Sequence, residues 1–471
     1  MPSQTRAAAL LGMLGVLGSG VAVAATSLGL PETRPITLAE ALAFARSHQP
    51  AVLASLARVR TERANAEVPR AQYEPRVGLT AQLLEGTANN TTASYLTDAL
   101  VELPRIGGTP VTNGGGAGWR PSASTLVAAG LSQEIFDFGR IAAASAAADA
   151  RVTVAARAAD TQRLDIELNV EEAFFAVRAA KAILRASEDA YQRSLVHRDF
   201  ASAGVQSGLR SPIDLTRAEA DLGRFDTGRI RARGGLWVAQ TVLAATIGAP
   251  EPALDAADET PAEAELPTLA NALRLGSERD PRLQEAVARL RQRELETHAV
   301  GSLARPDLHL SAAISGRAGG ATPSNGGDLA AESGYLPNVP NWDAALVLSW
   351  PIFDPTINAR VRAARGAEEV ERNELDLVRR QVVAAVEQAY AGVVVAREAL
   401  PSLEHELEAA RANYAQADAR FKAGIGTSVE LADAEALRVD ADIRVAMGLF
   451  ELARARAAFG RAIAEGARGS A

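Results

Sequence analysis

The chain has 471 residues, of which 48% are hydrophobic and 23% charged, a composition typical of folded proteins rather than disordered ones. Its 57 acidic and 49 basic residues give a net charge of −8, which argues against nucleic acid or another polyanion as a partner. Because the chain contains no cysteine, disulfides, thiolate chemistry and cysteine-ligated metals are excluded as well.

Residues 1–24 have the pattern of an export signal. Arg6 provides a positive start, residues 7–23 are apolar, and Ala22-Val23-Ala24 is a small-residue cleavage site. A single membrane anchor is the less favoured alternative, because the run is shorter than the roughly 20 apolar residues that a bilayer span needs. We therefore expect a signal peptide removed after Ala24 and, without cysteine, no lipid on the new N-terminus.

The first half of the mature chain, residues 25–248, begins with a predicted helix at 38–72. The helix ends before Pro75, since proline pushes the preceding residue out of the α region. Alternation of apolar and polar residues then predicts strands at 76–84 and 124–132. Long helices are predicted for residues 139–248.

Residues 249–267 hold four prolines and six acidic residues and are predicted to be a linker. The second half, residues 268–465, shows the same order of elements, followed by a short tail at 466–471. Its predicted elements are a helix at 269–303, strands at 307–314 and 342–350, and long helices at 355–465.

The two halves also share residues, which indicates an internal duplication. Ten identities relate Leu38–Leu79 to Leu269–Leu310 without a gap, and five of seven residues agree between 131–137 and 348–354. Ala218-Glu219-Ala220 recurs as 434–436. The repeat is far longer than the 20 to 50 residues of solenoid repeats, so we interpret it as one structural unit present twice.

The four strands have an apolar face and a polar or small face. Trp342 and Trp350 lie at opposite ends of the last strand, where tryptophan is typical of a membrane interface. Such strands fit a membrane β-barrel wall, and they fit a soluble sandwich equally well. No later window resembles a transmembrane helix, so entry into a membrane requires a closed barrel.

The long helices favour the membrane interpretation. Ten apolar positions from Ala389 to Phe421 advance by alternating steps of three and four, as in a coiled coil. A continuous helix from Ile357 to Phe421 is about 100 Å long at ~1.5 Å per residue, more than a globular domain needs. Pro401 interrupts this pattern and is expected to kink or split the helix.

The doubled Ile-Phe-Asp segments at 135–137 and 352–354, and the turns at 208–215 and 424–431, are similar to those of the TolC family of outer-membrane efflux proteins. The resemblance covers about residues 36–465. It implies a mainly α fold with a membrane β-barrel, in which a homotrimer forms a twelve-stranded barrel and a helical periplasmic cylinder. It also implies an outer-membrane location in a Gram-negative bacterium, a periplasmic adaptor protein and an inner-membrane transporter.

The same resemblance places the periplasmic entrance where the paired helices turn. Asp214, Glu430 and Asp433 then form rings of carboxylates that favour cations. Phe421 and Gly426 stand where the family's best-known pattern has a tyrosine and an arginine, while Arg210 supplies a cation from the other half. The alternative for the carboxylates is an ordinary solvated helix face.

Other candidate sites are weak. Gly107–Gly118 lacks the lysine of a phosphate loop, no histidines have a metal-binding spacing, and no serine lies in a nucleophile elbow. We therefore expect no enzyme, metal or cofactor. A periplasmic adaptor and an exported enzyme remain as alternatives, and the sequence does not distinguish efflux from secretion, nor name a cargo or a specific transporter.

Overall fold

The structure is a computed structural model that describes residues 35–87, 121–250, 253–259, 265–319 and 339–465. The predicted signal peptide, the glycine-rich segment 107–118 and the tail 466–471 lie outside these residues. The described helices are α1 Leu38–His48, α2 Pro50–Arg70, α3 Arg140–Gln206, α4 Pro212–Ile247, α5 Leu269–Arg279, α6 Pro281–Ser302, α7 Pro355–Lys422 and α8 Ser428–Ala462. The described strands are β1 Pro35–Ile36, β2 Arg76–Thr87, β3 Pro121–Phe136, β4 Asp255–Ala256, β5 Asp307–Gly319 and β6 Val339–Ser349.

Each half contains two short helices, two long strands, a very long helix and a second long helix, in that order. The predicted helices 38–72 and 269–303 are wrong in being continuous, because each is divided at an X-Pro step. Gln49 before Pro50 has φ −64° and ψ 120°, and Asp280 before Pro281 has φ −59° and ψ 120°. Proline disfavours the α conformation in the residue before it, and at these two positions a new helix begins at the proline.

The four long strands form one antiparallel sheet in the order β2-β3-β5-β6. They extend beyond the predicted bounds at one or both ends, except that β6 ends at Ser349 and leaves Trp350 outside. The register pairs Leu79 with Ala129, Ala129 with Ile314, and Ile314 with Trp342. Since paired residues point to the same side of a sheet, the apolar stripes of all four strands share one face.

The long helices form two hairpins, α3 with α4 and α7 with α8, and α3 also packs against α8. Helix α7 runs for 68 residues through Pro401, so the proline does not split it, and the alternative that it kinks the helix stays a prediction. Its neighbour α8 supports it there, because Leu400 and Leu403 pack against Gly448. No helix in the described ranges is both long enough and apolar enough to span a bilayer.

The predicted linker is partly structured. Its strand β4 pairs in parallel with β1, and the ammonium of Lys181 lies 3.0 Å from the Asp255 carboxylate and 3.0 Å from the Ala256 carbonyl. Leu254 and Ala256 are buried in the main core with Phe174. The burial of Leu254 and Ala256 therefore anchors the linker against the middle of the first hairpin.

Candidate functional site

The far ends of the two hairpins are the candidate site, and glycine sets the shape of both turns. Gly208 follows α3 with φ +72°, and Gly424 follows α7 with φ +78°. These left-handed conformations are strained for other residues, so glycine ends each long helix. Helix α4 then begins at Pro212, while α8 begins with a capping box between Thr427 and Glu430. We call these two turns, residues 207–211 and 423–427, the tips.

Two polar contacts join the two hairpins next to the tips. Arg210 Nη2 donates a hydrogen bond to the Phe421 carbonyl at 2.6 Å, and its guanidinium carbon lies 3.8 Å from the centre of the Phe421 ring. The Ser428 hydroxyl donates to Asp214 at 2.9 Å. A hydrogen bond combined with a cation–π contact holds the guanidinium in one place. The structure therefore brings the predicted Arg210, Phe421 and Asp214 together.

The predicted Glu430 and Asp433 lie on the same helix face, three residues apart and exposed. Glu430 accepts a hydrogen bond from the backbone N–H of Thr427 at 3.4 Å and lies 4.0 Å from Arg420. Asp214, which is half-buried beside Ser428, is separated from solvent more than either of them. The exposed pair is thus the part of the carboxylate set that is available to ions within one chain.

Phe421 is buried where the two hairpins meet. Its side chain is 2% exposed and packs with Tyr414, Ala417, Leu431 and Ala434. The ring belongs to the apolar seam between α7 and α8, and Arg210 covers it from the other hairpin. Within the single chain Phe421 therefore holds the hairpins together, and its place at the pore entrance stays a prediction.

Sequence reasoning missed a buried polar cluster just above the tips. Glu435 is 2% exposed and accepts hydrogen bonds from Arg193 Nε at 2.9 and 3.2 Å. Burial raises the pKa of Glu435, although the bonds to Arg193 oppose the shift. Burial, with a smaller contribution from Glu435, raises the pKa of Tyr414 to about 12. The repeated Ala-Glu-Ala at 434–436, a carboxylate inside an apolar stretch, was the available signal.

The apolar face of the sheet lies at the other end of the long helices. Trp342 is 80% exposed, and Val77, Leu79, Ile314 and Leu346 on the same face are exposed as well. The eight residue steps from Trp342 to Trp350 span about 27 Å along the strand at ~3.4 Å per residue. A strand tilted by about 40° then rises about 21 Å, which is close to the roughly 25 Å apolar band of outer-membrane proteins.

No group of three or more metal-binding side chains occurs in the residues that the structure describes. The described chain therefore offers helix tips, a buried cluster and an apolar sheet face as its candidate functional features.

The chain is similar in sequence to known proteins. A family model for outer membrane efflux proteins matches residues 42–249 and 273–465. Protein CyaE of Bordetella pertussis is 26% identical over 407 residues, which are 85% of this chain and 78% of that protein.

Two solved channels show the same fold at low identity. The CmeC outer membrane channel of Campylobacter jejuni has a TM-score of 0.73 and 14% identity, with 92% of this chain and 87% of that chain covered. The open state of the MtrE outer membrane channel of Neisseria gonorrhoeae has a TM-score of 0.67 and 19% identity, with 90% and 88% covered.

Proposed function

This chain belongs to the outer membrane efflux protein family, and from that membership we propose that it is a channel subunit. It is the exit duct of a tripartite efflux pump or a type I secretion system and carries out transport without catalysis. The observation that carries the proposal is the sheet register, which places the apolar stripes of four strands on one exposed face at the end of the long helices.

The proposed assembly is a homotrimer. In one chain β2 and β6 are the edges of the sheet, and their outer backbone groups have no strand partner within the described residues. Open edges are not tolerated in lipid, because unpaired backbone groups lack water there. Three copies supply twelve strands, and pairing β6 of one copy with β2 of the next closes the barrel in the outer membrane.

The helical hairpins extend from this barrel into the periplasm of a Gram-negative bacterium. A helix of 68 residues, such as α7, is about 100 Å long at ~1.5 Å per residue. The export signal predicted for residues 1–24 agrees with this location. The hairpins of three copies form the periplasmic cylinder, whose closed end consists of the tips.

Exposed apolar residues at the tips support docking of a periplasmic adaptor. Leu209 is 85% and Ile425 72% exposed, and these two residues occupy equivalent positions in the two repeats. Ile213 and Val429 form a second exposed, equivalent pair. Apolar side chains repeated around the end of the cylinder fit the end of an adaptor that links it to an inner-membrane transporter.

We assign the ion selectivity of the periplasmic entrance to Glu430 and Asp433. The half-buried Asp214 adds a further negative charge. In a trimer these three positions bring nine carboxylates toward one axis, which favours cations. Screening is weakest in dilute salt, because the Debye length is about 10 Å at 0.1 M and about 3 Å at 1 M. Cation preference is therefore expected to be largest at low ionic strength.

Planar-bilayer recording tests the channel and its entrance together. Glu430→Gln with Asp433→Asn removes two charges per chain, while the amide oxygen introduced at position 430 still accepts the Thr427 hydrogen bond. We expect trimer yield to stay constant and the reversal potential in a salt gradient to move toward zero. Failure of the wild-type trimer to conduct contradicts the channel function.

A charge-matched variant serves as the control. Glu404→Gln with Glu408→Gln removes the same number of charges from exposed positions on α7. Glu404 lies 17 residues before Phe421, about 26 Å away at ~1.5 Å per residue and beyond the Debye length at 0.1 M. Equal changes in selectivity in the two variants, or no change in the tip variant, would place the entrance elsewhere.

A further inference from the structure

A histidine lies in the contact between the two hairpins, close to the tips. His197 on α3 is half-buried, and its Nε2 lies 2.9 Å from the hydroxyl of Tyr414 on α7. The imidazole also packs edge-on against Phe421, with ring centres 6.3 Å apart. Arg210 contacts the same ring. His197 and Arg210, which both belong to the first hairpin, therefore pack against one aromatic side chain of the second hairpin.

Protonation of His197 disturbs its hydrogen bond with Tyr414. In the neutral imidazole, Nε2 accepts the proton of the tyrosine hydroxyl. In the imidazolium both ring nitrogens carry protons, so the bond persists only if the Tyr414 oxygen accepts. The tyrosine proton then needs another acceptor, and among the described residues the Tyr414 hydroxyl has no hydrogen-bond partner besides His197. An unsatisfied buried hydroxyl destabilises the joined hairpins.

The charges around this contact come from four helices and one tip. Asp418 and Lys422 lie on α7, where they form an ion pair at 2.8 Å, and Arg193 lies on α3. Glu435 and Arg438 approach Tyr414 from α8. The cleft beside His197 is completed on α4 by Asp214 and Asp221, and at the first tip by Arg210 beside Phe421.

Most of these carboxylates already have a partner. Glu435 is bound by Arg193, Asp418 by Lys422, Asp221 by Arg224 and Asp214 by the Ser428 hydroxyl. A proton on His197 therefore adds positive charge beside Arg193 and Lys422, and the carboxylate that attracts this proton, Asp418, already shares one oxygen with Lys422. Repulsion from Arg193 and Lys422 adds to the loss of the tyrosine hydrogen bond.

We propose that His197 is a pH-dependent switch whose protonation weakens the contact between the two hairpins and favours separated tips in mildly acidic medium. The proposal rests on the proposed function in one respect, which is that separated tips open the channel. The change at the tips themselves needs only the geometry of His197, Tyr414 and Phe421.

The direction of the effect follows from the pKa of His197. Burial, and then the cations Lys422 and Arg193, hold this pKa below its ordinary value of 6.5, while Asp418 opposes the shift. Separation exposes the ring and returns its pKa toward 6.5, so the separated state binds the proton more tightly. The joined state is fully favoured above pH 6.5 and loses its advantage as the pH falls below that value.

The ratio of separated to joined tips changes by up to about tenfold for each unit by which the two pKa values differ. Spin labels measure this change, since the chain has no other cysteine to be labelled. Leu209→Cys and Ile425→Cys place one label on each exposed tip, in trimers where labelled subunits are diluted with unlabelled ones. Electron–electron distance measurements at pH 7.5 and pH 5.5 then report the separation.

We expect a longer distance to appear at pH 5.5 in the wild-type background and not in His197→Gln, whose amide oxygen still accepts a hydrogen bond. His405→Gln, which removes an exposed histidine on α7, should keep the wild-type response. His197→Asn is the second variant if His197→Gln assembles poorly.

An unchanged distance in the wild type, or an equal response in His197→Gln, would overturn the switch. Bilayer conductance of the same proteins separates this outcome from the proposed function. A pH-dependent distance in a protein that never conducts would leave the switch in place and refute the channel.

Discussion

The two repeats have glycine and arginine in opposite order near their tips. The first repeat has Gly204 and Arg210, and the second has Arg420 and Gly426 at the equivalent positions, 216 residues later. Arg210 crosses directly over Gly204, where a Cβ would lie 2.7 Å from the arginine Cδ. The exchange makes the tips unequal, so one arginine reaches across to the other hairpin.

Gly204→Ala should therefore displace Arg210 from Phe421 and raise the basal conductance, as we also expect for removal of the arginine side chain. Gly223→Ala is the matched control, because nothing lies within 4 Å of a Cβ there. Single-channel recording compares the two variants. Equal basal conductance in both would show that Arg210 does not hold the tips.

Glu171 on α3 is a second residue with an altered protonation equilibrium. Burial, followed by repulsion from Glu167 and Glu465, raises the pKa of Glu171 from 4.5 to about 7. Between these values the folded chain binds more protons than the unfolded chain, so stability decreases as the pH rises through this range. Above pH 7 the charged carboxylate costs about 1–2 kcal/mol, less than full burial implies because the group is partly solvated.

Glu171→Gln should raise the thermal midpoint at pH 8 and leave it unchanged at pH 4.5. Circular dichroism of the detergent-solubilised protein measures both. Glu172→Gln is the control, since its carboxylate lies 3.6 Å from Arg454 and gains from being charged. A higher midpoint for both variants at pH 8 would contradict the assignment to burial of Glu171.

At the residue scale, the sequence predicts which residues lie near the tips but not which residues they contact. The repeated turns identified Asp214, Glu430 and Asp433, because turn chemistry is local. The burial of Phe421 and the pairing of His197 with Tyr414 depend on two hairpins that are more than 200 residues apart in sequence. No local pattern reports such a contact.

At the scale of elements, proline explains most differences in the helices. The same rule that ends the first helix before Pro75 also applies at Pro50 and Pro281, where it divides each predicted helix in two. Pro401 has the opposite outcome, because packing against α8 preserves α7 through one missing hydrogen bond. Local propensity thus decides short helices, and tertiary packing decides the long ones.

Close packing of α7 and α8 near Pro401 depends on Gly448. A Cβ at this position would lie 2.5 Å from Leu403 Cδ1, so Gly448→Ala should destabilise the protein by about 1–3 kcal/mol. At Gly392 the nearest atom to a Cβ, on Ala455, is 3.8 Å away, so Gly392→Ala should be stabilising by about 0.5–1 kcal/mol. Thermal midpoints test this contrast, which fails if both variants shift in the same direction.

The two faces of strand β6 should differ in how well they tolerate a charged residue. Leu346 belongs to the apolar face and Val347 to the opposite one. Arginine at Leu346 should impair insertion by about 2–4 kcal/mol per subunit, while arginine at Val347 should be tolerated far better. Folding titrations into lipid vesicles measure the difference. Equal tolerance would show that this face does not meet lipid.

For the whole molecule, the doubled order of elements was readable from the sequence, because the repeats share residues and the periods of helix and strand differ. The strand register was not, since it joins β3, which ends at Phe136, to β5, which begins only at Asp307. That register places an apolar face at one end of helices about 100 Å long. The tips at the other end carry exposed apolar residues and carboxylates.

The proposal that three copies form one outer-membrane channel is tested most directly on the wild-type protein. The quantities to measure are its membrane location and its oligomeric mass. Membranes are separated by density, and the outer-membrane fraction is analysed for mass in mild detergent. We expect a detergent-stable trimer in the outer membrane. A monomer in the soluble periplasmic fraction would contradict it.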